Sequence, residues 1–235
     1  MEKSNIDAML EAIPNKKFSG RKVLGVGVND SAFQTSFHNN VVIATHRAYG
    51  AWSNMLKSCY SPKFLETHPT LSGYSVCDEW LYFSNFFRWW KDNYIEGWEL
   101  DKDMLVTGNK IYSPETCVYM PVSLNKFINL KSGLSSKYPI GAHASGKKFQ
   151  AEIRNELGVR TKLGRFDTAE EAHSAWLERK LLMAIEHKPL CDSIRPGLYD
   201  GMVSYIKKVA RDSINEFKGN QWTVKNLSRA TSRRF

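Results

Sequence analysis

The stretch 77–94, CDEWLYFSNFFRWWKDNY, constrains the fold more than any other part of this 235-residue chain. Trp80, Phe83, Phe87 and Trp90 recur at helical spacing, and Leu81, Phe86 and Trp89 widen the same face. So broad an aromatic face predicts a buried helix at the heart of a module. Residues 46–60 predict an amphipathic helix, with Tyr49, Trp52, Leu56 and Tyr60 on one side and Ser61-Pro62 ending it. An apolar fraction of 42% is enough for a core and excludes a disordered chain. No apolar run is long enough to span a membrane, and the opening residues Met1–Asn5 form no apolar leader, so export is not expected.

Charge divides the chain. Residues 1–130 hold 13 basic and 13 acidic side chains, whereas residues 131–235 hold 20 and 11, so the whole excess of +9 sits in the C-terminal part. That asymmetry points to a polyanion-binding half, nucleic acid first. The break falls at residues 131–137 (KSGLSSK), which read as a linker.

Shorter elements fill in the rest. Residues 5–13 read as a weak helix ending at Pro14, and Val23–Val28 as a glycine-interrupted strand or close-approach loop. Met104–Val106 and Lys110–Tyr112 read as two short strands joined by a Thr107-Gly108-Asn109 turn. Ser113-Pro114-Glu115 reads as a helix start, and 121–130 as a short helix. After the linker come three expected strands, Tyr138–Ala142, Lys148–Arg154 and Arg160–Phe166. A helix over 168–186 follows with Thr168 as its cap, then another over 198–217 and a flexible basic tail. On the second strand, alternation sends Lys148, Gln150, Glu152 and Arg154 to one face and Phe149, Ala151 and Ile153 to the other; on the third, Arg160 and Lys162 share a face. A basic ribbon of this kind fits the major groove, where arginine can grip guanine bidentately.

In Ile140-Gly141-Ala142, Gly146–Arg154 and above all Leu163–Ala172, this part resembles the APETALA2/ethylene-response-factor domain, over about residues 137–180. The resemblance implies a three-stranded antiparallel sheet packed on one helix, with the sheet in the DNA major groove. Lys147, Lys148, Gln150, Arg154, Arg160, Lys162 and Arg165 are then the candidate DNA-binding residues. The strand tryptophans of that family have no counterpart here; Lys162 precedes Leu163-Gly164, and His143 follows Ala142. Base readout would therefore differ, or give way to phosphate contact.

The segment Asp101-Lys102-Asp103, Gly108-Asn109, Ser113–Cys117 resembles a degenerate H-N-H unit, the ββα-metal scaffold of phage homing endonucleases. The wider run from Trp52 to Pro121 is similar to phage proteins that pair an H-N-H unit with an APETALA2 domain. The resemblance implies that Asp101 binds a divalent ion, Mg²⁺ if the unit is catalytic, and that Asn109 fixes the loop. Lys102 stands where the general-base histidine belongs, and no histidine occurs from 69 to 142. A lysine serves as base only if its pKa is lowered by several units. His38, His46 and His68 are the histidines that folding could bring in. Cys59, Cys77 and Cys117 with His68 make a conceivable structural zinc set, or else the cysteines are small buried apolar groups.

The expected fold is α+β: an H-N-H-like module in an aromatic-rich helical setting over 1–130, then an APETALA2-like domain over 138–186 and a helical, basic extension over 187–235. The expected function is double-stranded DNA binding, with Asp101, Lys102 and Asn109 as candidate catalytic residues of a metal-dependent phosphodiesterase. The alternatives are a non-catalytic DNA-binding regulator, or a phage host-takeover or anti-defence protein that holds a protein partner through residues 46–98. A phage-encoded chain of this kind would work in the cytoplasm of an infected bacterium.

Overall fold

The computed structural model describes residues 3–15, 22–39, 41–130, 137–155 and 158–231. The fold is α+β, and the chain divides into two compact units. Unit 1 comprises residues 1–103 and 108–119; unit 2 comprises residues 104–107 and 120–235. The expected linker lies almost wholly outside the described residues. No described helix is long and apolar enough to cross a membrane.

Unit 1 begins with α1 (Lys3–Glu11) and an antiparallel hairpin of β1 (Ser36–Asn39) and β2 (Val41–Thr45), which the sequence reading did not anticipate. Next come α2 (Arg47–Tyr60), α3 (Pro62–Thr67) and the short strand β3 (Ser75–Val76). The aromatic stretch is not one helix. A single 3₁₀ turn covers Asp78–Leu81, and α4 (Phe83–Asn93) follows it. The break has a cause in hydrogen bonds: Val28 N–H donates to the Leu81 carbonyl (2.7 Å) and Phe83 N–H to the Val28 carbonyl (3.0 Å). Asp30 then takes the Ser84 N–H (2.8 Å) and hydroxyl (2.6 Å), acting as a borrowed cap for α4.

The aromatic stripe is core as predicted. Trp52, Trp80, Phe83 and Phe86 are fully buried, and Trp52 meets Phe83 edge-on at 5.5 Å. Trp52 Nε1–H satisfies itself on the Trp80 carbonyl at 2.7 Å. The Val23–Val28 segment is the close-approach loop: a Cβ on Gly27 would overlap Leu56 and Trp52.

After α4 come β4 (Trp98–Asp101), β5 (Ile111–Tyr112) and β6 (Val118–Pro121). The expected 104–112 hairpin is not formed. Residues 102–106 are bends, β5 pairs in parallel with β3, and β4 pairs with β6. Ser113–Thr116 makes one turn rather than a helix, because the Thr116 hydroxyl accepts from Ser113 N–H (3.1 Å) and donates to the Ile111 carbonyl (2.7 Å). The chain then extends into β6.

Unit 2 contains α5 (Val122–Ile128) and a three-stranded antiparallel sheet of β7 (Ala142–Ser145), β8 (Lys148–Arg154) and β9 (Arg160–Phe166), in the order β7-β8-β9. Helices α6 (Ala169–Glu186), α7 (Lys188–Ile194) and α8 (Leu198–Thr231) complete it. β8 and β9 occupy the predicted spans. β7 starts later than expected, because Gly141 takes a positive φ of 83° in a turn pressed against Trp176. Thr168 caps α6 through a complete capping box with Glu171. α8 runs well beyond the expected end at 217, so the basic segment to Thr231 is helical rather than a loose tail. Ala142, Ala151, Ala169, Ala172 and Phe217 form one buried cluster of this unit.

Candidate nucleic-acid interface and candidate ββα site

The sheet of unit 2 separates its two faces as the alternation predicts. Ala151 and Ile153 are buried and Phe149 packs on the same core, while Lys148 and Arg154 are exposed. Strand β9 departs from simple alternation. Ala151 pairs with Gly164, but Glu152 pairs with Lys162, so Leu163 is an extra residue on β9. Gly164 makes this bulge possible at φ 146°, a conformation that side-chain-bearing residues avoid.

The bulge decides where charge points. Without it, Arg160 and Lys162 would share a face and Arg165 would turn to the core. With it, Arg165 pairs with Gln150, Lys162 with Glu152 and Arg160 with Arg154, so all three basic residues of β9 face outward. Phe166 pairs with Phe149 on the core side. One outer face therefore carries Lys148, Arg154, Arg160, Lys162 and Arg165 against Glu152. Lys148 pairs with Asp167 at 2.9 Å at exposed positions, where such a pair yields readily to a competing anion, and the exposed Arg160 meets the half-buried Glu152 at 3.5 Å. Arg165 is oriented by hydrogen bonds to the Ser145 carbonyl and hydroxyl, both 2.9 Å.

Two of the seven expected residues stand apart. Lys147 lies in the β7–β8 turn. The Gln150 amide is spent inside the sheet, donating to the Gly164 carbonyl at 2.7 Å and the Ala151 carbonyl at 3.1 Å, where it closes the bulge. The bulge itself escaped the sequence reading; its signal is the glycine at 164 inside an otherwise regular strand pattern.

In unit 1, Asp101 ends β4 half-buried and accepts the Asp103 N–H at 2.8 Å. Asn109 clips the loop shut: its amide donates to the carbonyls of Lys102 (3.1 Å) and Ile111 (2.7 Å), and its oxygen accepts the Ile111 N–H (3.1 Å). Asn109 thus ties residues 102 and 111 together.

Lys102 is placed differently from a general base. Its side chain is buried, with Nζ 2.9 Å from Asp103 and 4.1 Å from the Tyr74 ring centre. Burial alone would lower its pKa, but the hydrogen bond and charge of Asp103 outweigh that and hold it above the ordinary lysine value. The ammonium keeps its proton, the reverse of what a base requires.

Among the described side chains, His46 and His68 are engaged elsewhere. His46 is fully buried, accepts the Ala48 N–H at Nδ1 (3.2 Å) and meets Glu11 at Nε2 (3.0 Å). His68 is exposed and stacked on Phe64 at 4.1 Å. The His38 side chain lies outside the described residues.

Cys59, Cys77 and Cys117 all pack in the aromatic core, where burial raises each thiol pKa, that of Cys117 to about 12. Among the described residues, no group of three or more His, Cys, Asp or Glu side chains is arranged to hold a metal ion. Of the large apolar side chains in 46–98, only Tyr82 and Ile95 are exposed. No family model, no curated protein and no solved structure significantly matches the chain.

Proposed function

We propose that this protein binds double-stranded DNA through the outer face of the β7–β9 sheet, and that it is related to the phage proteins joining an H-N-H unit to an APETALA2 domain. The observation that carries the reading is the β9 bulge. It aims Arg160, Lys162 and Arg165 outward beside Lys148 and Arg154, five cations against the carboxylates of Glu152 and Asp167 among the described residues. Such a face meets phosphates first, and long-range attraction from a +9 chain brings the duplex to it. Arg154, Arg160 and Arg165 have the fork geometry for guanine edges.

The test is fluorescence anisotropy on a random-sequence duplex across a salt series. The logarithm of affinity should fall linearly with the logarithm of salt, and R154A and K162A should each reduce the slope by about 0.9. Affinity that does not change with salt would overturn the reading.

The Asn109 clip favours a second reading, that unit 1 also cleaves the phosphodiester. Asp101 and the neighbouring Asp103 are hard oxygen donors, and Mg²⁺ is commonly held by one or two carboxylates together with substrate phosphates. Bound there, the ion would supply charge stabilisation at the scissile phosphate. Asn109 would keep the loop closed around Asp101, and water activation would fall to a group other than Lys102. Metal-dependent plasmid nicking lost in D101A but kept in K102M supports this reading. Binding without nicking in Mg²⁺ or Mn²⁺ supports a non-catalytic regulator.

A further inference from the structure

The outer face of the sheet is not an open plane. A groove of about 730 Å³ runs along it, within unit 2. One wall is the sheet, through Arg154, Arg160, Lys162 and Glu152. The other is formed by the C-terminal end of α5 and the residues after it, with Lys126 and Asn129 at its rim, both exposed.

The second wall is built rather than loose. Leu124, Phe127 and Ile128 are buried beneath it. Lys180 of α6, itself 4% exposed, reaches the Phe127 carbonyl at 2.6 Å and lies 3.4 Å from the centre of the Phe127 ring. This fastens the end of α5 to the helix that supports the sheet, so the width of the groove is set by packing.

The contents of the groove narrow the ligand. Its volume far exceeds what one inorganic phosphate fills and lies in the range of sites that enclose much of a ligand. Cations stand on both walls, Lys126 on one and Arg154, Arg160 and Lys162 on the other, with Asn129 and Asn155 as neutral hydrogen-bonding groups. Positive charge on two facing walls suits a chain of phosphates passing between them, rather than a single anion at one point.

We infer that Lys126 and Asn129 form the second wall of a phosphodiester-binding groove, and that one strand of the duplex lies between the end of α5 and the sheet. The inference rests on the DNA-binding reading and goes beyond it. No sequence pattern marks Lys126 or Asn129, and alternation along the strands points to the sheet alone.

The test uses the full chain and a random-sequence DNA duplex of roughly 20 base pairs, by anisotropy across a salt series. K126A should weaken binding about threefold to tenfold and lower the salt slope by about 0.9, and K126E should weaken it further. N129A should weaken binding without changing the slope, since it removes no charge. K63A, at an exposed position on α3 in unit 1, should leave both unchanged. If K126A and K126E match wild type while R154A is impaired, the strand rests on the sheet alone and the inference fails with DNA binding intact. If wild type shows no salt-dependent binding, the DNA-binding reading fails and takes this inference with it.

Discussion

Replacing Gly201 with alanine sets two physical effects against each other. Gly201 lies inside the first turns of α8, where alanine is the better helix former by about 1 kcal/mol. Propensity alone therefore says that G201A stabilises. The packing says the opposite. A Cβ at position 201 would overlap the Met104 carbonyl oxygen and crowd the Leu105 backbone. Met104 is itself buried, and both partners are main chain, which cannot swing aside as a side-chain tip can. Overpacking of a well-filled site costs about 1–3 kcal/mol, and an unyielding backbone places this one toward the top of that range. The net expectation is a loss of about 1–2 kcal/mol, or a fall in Tm of roughly 2–8 °C for a chain of this size.

Gly219 is the control on the same helix, because a Cβ there meets open space. G219A should gain up to about 1 kcal/mol from propensity, unopposed. Thermal and urea melts followed by far-UV circular dichroism measure both variants. If G201A proves as stable as wild type or more so, α8 does not press on the 104–105 backbone and the reasoning fails.

The loop and core of unit 1 give further expected outcomes. N109A removes two donated hydrogen bonds and one accepted bond that hold residues 102 and 111 together, so urea denaturation should show a loss of about 1–3 kcal/mol. N109D keeps the acceptor for Ile111 N–H but sets a carboxylate oxygen against the Lys102 and Ile111 carbonyls, and should be no more stable than N109A. Cys117, with its thiol pushed up from 9.0 to about 12 by burial, should resist iodoacetamide at mildly alkaline pH and label only on unfolding, as read by mass spectrometry. Because the folded thiol holds its proton more tightly than the unfolded one, its contribution to stability is complete below pH 9 and declines as pH rises from there toward about 12; C117A should lose that dependence.

What the sequence reveals about this fold depends on how local each element is. β8, β9 and α6 were legible because alternation and a complete capping box act within a few residues of one another. The buried aromatic stripe was legible for the same reason, through its spacing. Its break at Tyr82 was not, because the break is made by Val28 and Asp30, some 54 residues distant in the chain. The supposed 104–112 hairpin failed similarly: Ile111 and Tyr112 bond to Ser75 and Val76 instead, a parallel pairing that no local turn signal announces.

The candidate residues show the same division. The part of the Asn109 contacts that is legible is the short-range one to Ile111, whereas the bond to the Lys102 carbonyl, seven residues back, depends on how the loop folds. Lys102 is not legible from sequence, since its protonation is a balance between burial, which only the fold sets, and the opposing hydrogen bond and charge of Asp103 beside it. The groove wall at Lys126 and Asn129 was invisible, because only tertiary packing brings the end of α5 beside the sheet.

The four residues Met104–Thr107 interrupt the run of unit 1 and belong to unit 2. The chain therefore crosses between the units three times rather than once, and neither unit is a single uninterrupted stretch of the gene. A fragment starting at Met120 would carry Gly201 but not the Met104 carbonyl that lies against it, leaving a bare cleft on α8 where main chain should lie. Transfer of residues 120–235 as a simple C-terminal cassette would open that cleft each time. A recombination joint placed ahead of β4 keeps residues 104–107 with α8, so inheritance of the sheet carries the Asp101–Asn109 loop along with it.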